Sequence, residues 1–168
     1  MPHKDSETIS NLVDANSSAL FENYNAPIGA ATSKDRTTTI AAIIGYSGRE
    51  LSGSLCITTV PEVTQKTYGG EAPADWLGEL ANQLLGRLKT DFAKRGAEVY
   101  ITTPLVLKGY RLEVCANEEE GIESVLHDYD SDEGPVRVMF QYEFKPGAGL
   151  SPTQYVEDSM DVSEAILF

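Results

Sequence analysis

Residues 74 to 88, ADWLGELANQLLGRL, decide how the rest of the chain is arranged. At about 100° per residue, a helix over 76 to 92 puts Leu77, Leu80, Ala81, Leu84, Leu85, Leu88 and Phe92 on one broad stripe. That stripe is core. Asp75, Glu79, Asn82, Gly86 and Ala93 fall on the opposite side, facing away from the core. The helix is expected to run to about Arg95 and to stop at Gly96.

Two interior glycines need a reason, since each costs about 1 kcal/mol relative to alanine. Gly86 lies on the polar face, one turn beyond Asn82, where packing on a sheet does not explain it. Bare backbone at that point describes a surface that another molecule can approach closely, with Glu79 and Asn82 on adjacent turns at its centre. Gly78 lies to the side of both faces, and the sequence offers no account of it.

Outside this helix the pattern is mostly strand. TTTIAAIIGYSGRELSGSLCITTV gives two β-rich runs around a Gly and Ser turn, and Ile40 to Ile44 suggests a strand covered on both faces. AEVYITTPLVLKG and YRLEVCA read as one hairpin, with Tyr110, Leu112 and Val114 alternating against Arg111 and Glu113. In VRVMFQYEF, Val136, Val138, Phe140, Tyr142 and Phe144 face one way while Arg137, Gln141, Glu143 and Lys145 face the other. That is the period of an antiparallel sheet with one wet face.

Residues 5 to 24 carry Ile9, Leu12, Val13, Leu20 and Tyr24 at helical spacing, with Asn16 inside the stripe as a hydrogen-bonded amide, and PEVTQKTYGG reads as a short helical or turn connection. The expected fold is therefore α+β, two long helices packed on one face of an antiparallel sheet. The expected domain spans residues 1–147. Residues 148–168, rich in acid, form either a loosely attached tail or one short docking helix.

Composition narrows the partners. Thirteen Lys and Arg face 26 Asp and Glu, a net charge of -13 that repels phosphate backbones and anionic headgroups, so no nucleic acid and no membrane partner is expected. The opening MPHKDSETIS lacks the apolar centre of a secretory signal, and no window approaches the ~20 apolar residues of a spanning helix. A cytoplasmic protein is expected, with Cys56 and Cys115 as free thiols in strand-like runs.

Familiar catalytic and metal motifs fail. DYDSDEG, 128–134, places Glu133 and Met139 where a calcium loop needs Gly and Glu, so it reads as an acidic hairpin turn. Nine acids and no Lys or Arg between 113 and 133 read as a solvated edge that resists strand association, with a cation site as the weaker alternative. His3 lies near the terminus and His127 reads as a surface residue, too little for a zinc site or a Ser-His-Asp triad. No phosphate loop, dinucleotide turn or serine elbow is present. No metal and no cofactor of this chain's own is expected.

DWLGELANQLLG contains D-x-x-x-E-x-x-N with Gly four residues on, and it resembles the signature helix of the CheC, CheX and FliY chemotaxis phosphatases. IIGYSGRELSGSLCITTV resembles the hairpin before that helix and ITTPLVLKG the strand after it, so the likeness covers roughly residues 5 to 145. The first helix offers only Glu7 and Asn11 at the wrong separation, and Val13 stands where a glutamate would precede Asn16. One active site is implied, as in CheX-like members.

The resemblance implies an enzyme acting on a phosphorylated CheY-like response regulator, whose aspartyl phosphate sits with Mg2+ in the regulator's own pocket. It implies that Asn82 orients the attacking water and that Glu79 docks to the regulator's pocket lysine. Asp75 matches the first acid of the motif, either as a partner contact or as a favourable charge at the helix start, and Gly86 allows close approach. It also implies a possible homodimer through sheet edges. The other reading is a non-catalytic receiver-binding or flagellar-switch adaptor.

Overall fold

The computed structural model describes residues 2–68 and 72–152. Helix α1, Ser6–Asn23, opens the fold, followed by a two-residue strand β1, Gly29–Ala30, and the hairpin β2, Ile40–Gly48, with β3, Leu51–Thr59. Helix α2, Pro61–Thr67, leads to α3, Pro73–Ala93, and then to β4, Val99–Ile101, and β5, Leu105–Lys108. Strands β6, Glu123–Ser131, and β7, Gly134–Phe144, close the sheet. All pairings are antiparallel, in the order β1-β6-β7-β3-β2-β4, with β5 also on β2. The fold is α+β, with three helices among the described residues, of 18, 7 and 21 residues, the short one lying in the PEVTQKTYGG connection.

The leucine stripe of α3 is the centre of the core. Leu77, Leu80, Ala81, Leu84, Leu85, Leu88 and Phe92 are all fully buried, packed with Val136, Val138, Phe140 and Tyr142 of β7 and with Ile9, Val13 and Leu20 of α1. Gly78 now has a reason. A Cβ there would lie 3.0 Å from Val106 Cγ2 and 3.6 Å from Pro104 Cγ, so the missing side chain is what lets α3 settle onto β5.

Both long helices stop in the same way. Gly96 at φ 83 follows α3 and Asn25 at φ 57 follows α1, the left-handed region that glycine and asparagine tolerate best. The next residue then turns its N–H back, Ala97 to Phe92 O and Ala26 to Phe21 O, satisfying carbonyls the helix leaves open.

The expected hairpin of residues 97 to 116 does not form. β4 and β5 instead pair one after the other with the same strand, Gly48↔Val99 to Tyr46↔Ile101 and then Ile43↔Leu105 to Ile40↔Lys108. Between them Gly45 donates its N–H to Thr102 Oγ1 at 3.0 Å, and Pro104 has no N–H to give a ladder. Beyond β5, Arg111 at φ 56 turns the chain across the sheet. The Leu112 N–H donates to Thr38 O, and Leu112 and Val114 cover Ala41, Cys56 and Met139 on the face away from the helices. The alternation that reads as a strand is a cover over a small second core. Tyr110 and Cys115, also read as strand, are exposed.

The acidic stretch also departs from a purely solvated edge. β1 pairs with β6, Gly29↔Asp130 and Ala30↔Tyr129, and the acids serve as internal counter-ions. Asp128 takes a two-pronged pair from Arg137, 2.6 Å from Nε and 2.9 Å from Nη2, and Asp130 accepts the N–H groups of Thr32 and Ser33 and pairs with Arg36. Arg137's hydrogen bonds hold the Asp128 carboxyl below its ordinary value; the Ser33 and Thr32 N–H groups do the same for Asp130.

His127 is not a free surface residue. Half-buried between β6 and α1, its Nε2 lies 3.1 Å from Ser10 O and 3.2 Å from Ser10 Oγ. At the C-terminal side, Leu150 is buried and donates its N–H to Asp5 Oδ2 at 2.8 Å. Residues 153–168 of the acidic segment lie outside the described residues.

Candidate functional site

The site is one face of α3. Pro73 at the helix start fixes the backbone for the first turn, where Asp75 lies exposed against the positive end of the helix dipole. Glu79 and Asn82 follow on adjacent turns, both exposed, and three residues apart their Cβ atoms stand about 5–6 Å from each other. Gly86 comes next, and an added Cβ would meet nothing within 4 Å. Among the described residues the space over Gly86 is open, so their packing does not account for the glycine.

Glu79 is held, although it is exposed. Gln83 Nε2 donates to Glu79 Oε1 at 3.1 Å, and the Tyr24 hydroxyl donates to Gln83 Oε1 at 2.8 Å. Tyr24 in turn stands edge-on to Trp76, with centroids 5.6 Å apart, and Tyr68 stacks on the same indole at 4.6 Å. Trp76 Nε1 donates to Thr67 Oγ1 at 2.8 Å. The end of α1, the end of α2 and the start of α3 are thereby locked together along one side of the exposed pair.

The four candidates Asp75, Glu79, Asn82 and Gly86 therefore lie in a row on a single rigid helix. Tyr24, Gln83 and Trp76, which support them, were not among the sequence candidates. Gln83 stands four residues after Glu79, a spacing at which side chains meet, and that signal was available. Tyr24 comes from another helix, and nothing local marks it.

Asn16, the other amide of the long helices, is spent internally. Its Nδ2 donates to Leu12 O at 2.9 Å and to Asp91 Oδ2 at 2.8 Å, joining α1 to α3. Chemically the α3 face offers the exposed Glu79 carboxylate and the exposed Asn82 amide, which has no side-chain hydrogen bond among the described residues. Among the described residues no group of three or more His, Cys, Asp or Glu is placed to hold a metal ion, and no helix is long and apolar enough to cross a membrane.

A cleft of about 490 Å³ lies on the other side of the sheet, lined by Lys34, Arg36, Arg111 and Arg137 among others. Two of those cations, Arg36 and Arg137, are already engaged with Asp130 and Asp128.

No protein-family model matches the chain, and no curated protein sequence matches it. Solved structures do. Chemotaxis protein CheX from Vibrio vulnificus superposes with a TM-score of 0.69 at 20% identity, over 84% of this chain and 100% of that one. A CheX-CheY-BeF3-Mg2+ complex from Borrelia burgdorferi matches with a TM-score of 0.57 at 18% identity, over 80% of this chain and 97% of that one. The FliM middle domain from H. pylori matches with a TM-score of 0.52 at 12% identity, over 80% and 86%. The chain has the fold of the CheX chemotaxis proteins.

Proposed function

We propose that this protein is a CheX-like phosphatase that stimulates hydrolysis of the aspartyl phosphate of a CheY-like response regulator. The observation that carries the reading is the exposed Glu79 and Asn82 pair on adjacent turns of α3, beside open backbone at Gly86, in a CheX fold. The solved CheX-CheY-BeF3-Mg2+ complex supports the choice of partner, since BeF3 has the shape of a phosphoryl group.

The chemistry asks little of this chain. Hydrolysis of an acyl phosphate depends on positioning and charge stabilisation, and the regulator brings both the phosphoryl group and its Mg2+. Asn82 enters the regulator's pocket and its amide, with two donors and an acceptor, holds a water in line with phosphorus. Water's oxygen bonds to phosphorus, the bond to the aspartyl oxygen breaks with its electron pair passing to the carboxylate, and phosphate leaves carrying the water's two protons. Asn82 places the water and takes no proton. Glu79 pairs with the regulator's pocket lysine and docks the helix. Asp75 adds a partner contact at the helix start. A homodimer joined at a sheet edge belongs to the same proposal; the β4 and β5 edge exposes Tyr100, Leu105 and Leu107.

The FliM likeness favours one other reading, a receiver-binding or flagellar-switch adaptor without catalysis. Candidate receivers charged with acetyl phosphate and Mg2+ separate the two. The phosphatase reading predicts faster receiver dephosphorylation when this protein is added, and the adaptor reading predicts binding with no change in rate. In the same assay Glu79→Ala weakens both binding and turnover.

A further inference from the structure

We infer that Gln83 is a positioning residue which, with Tyr24, presets the Glu79 carboxylate for its partner, an inference that rests on the phosphatase reading. An exposed glutamate samples several rotamers, and docking it in one of them loses that freedom, worth up to about ten-fold in affinity. Here the freedom is already reduced. The Tyr24 hydroxyl donates to Gln83 Oε1 at 2.8 Å, which fixes how the amide lies, and Nε2 is left facing Glu79 Oε1 at 3.1 Å. One carboxylate oxygen of the exposed Glu79 is held in this way.

The relay is anchored at its far end. Tyr24 is set against Trp76, Trp76 is tied to Thr67, and Tyr68 covers the indole, so three helices determine where Gln83 can point. Gln83 is itself half-buried, unlike Glu79 and Asn82. A glutamate at 83 would keep the size and place a second negative charge against Glu79, which is why the amide matters. Gln83 touches no reacting atom and acts only through Glu79.

Three variants of the full chain test this with phosphorylated receiver and Mg2+. Tyr24→Phe removes the hydroxyl and keeps the ring, and is expected to raise KM about three-fold with kcat within about two-fold of wild type. Gln83→Glu is expected to raise KM about ten-fold, from the lost ordering of Glu79 together with like-charge repulsion one turn away. Gln83→Leu in a Glu79→Ala background is expected to add no further loss, because both changes remove one element of docking. Wild-type KM in Gln83→Glu alongside an impaired Glu79→Ala, or a further loss when Gln83→Leu is added to Glu79→Ala, would overturn the relay.

A second measurement does not depend on turnover. In the free protein, nuclear magnetic resonance should show a displaced Gln83 Nε2 proton that reverts in both Glu79→Ala and Tyr24→Phe. A resonance that stays put in both variants overturns the inference. If the wild-type chain accelerates no receiver, the phosphatase reading fails while this resonance still decides the relay.

Discussion

Gly86 and Asn82 carry most of the functional argument at the scale of single residues. A helix-interior glycine with open space over it is a cost of about 1 kcal/mol that packing does not explain, so Gly86→Ala should stabilise the fold by about that amount. If the glycine is there to admit a partner's backbone, the same variant should lose receiver-stimulated turnover. Thermal melting and the dephosphorylation assay read the two effects; a more stable variant with undiminished turnover removes the case for close approach. That Glu79, Asn82 and Gly86 share the face of α3 away from the core was legible because a wheel separates a leucine face from a polar one. Tyr24 was not, because its contact with Gln83 joins residues far apart in sequence and is set by how α1 packs on α3.

Among the elements, α3 is held to the sheet by a close approach at Gly78. Gly78→Val inserts atoms where Val106 and Pro104 already stand, and should destabilise by about 1–3 kcal/mol, read as a lower urea midpoint with little change in slope. A midpoint equal to wild type would mean that β5 yields at no cost. The helices and strands β2, β3 and β7 were legible in the sequence because long periodic stretches bury one face. The expected second arm of the hairpin, Tyr110 to Ala116, fails for a physical reason: Leu112 and Val114 alternate because they cover a patch of sheet, and alternation alone does not distinguish a cover from a strand.

At the scale of the whole molecule, the balance of charge governs response to pH. Asp128 has its folded-state value depressed by Arg137, so its contribution to stability is present above the ordinary value of 3.8 and is lost as pH falls through the folded one. Acid unfolding should therefore begin below about pH 4, and Arg137→Leu should lower the melting temperature near pH 7 while making the acid limb shallower. Parallel acid limbs in the two proteins would show that this pair does not contribute.

Catalysis should behave differently. An amide does not titrate, so the stimulated rate should stay flat between about pH 6.5 and 8 as far as this chain's groups are concerned. A steep transition in that range that follows this protein and not the receiver would contradict that.

The central claim is that Asn82 places the attacking water. Its most direct test is the rate of phosphate loss from a phosphorylated receiver with wild-type protein and with Asn82→Ala at equal occupancy of the complex. The account predicts that the variant binds the receiver as wild type does and loses about a hundred-fold in stimulated rate. Phosphate release at the wild-type rate would contradict it.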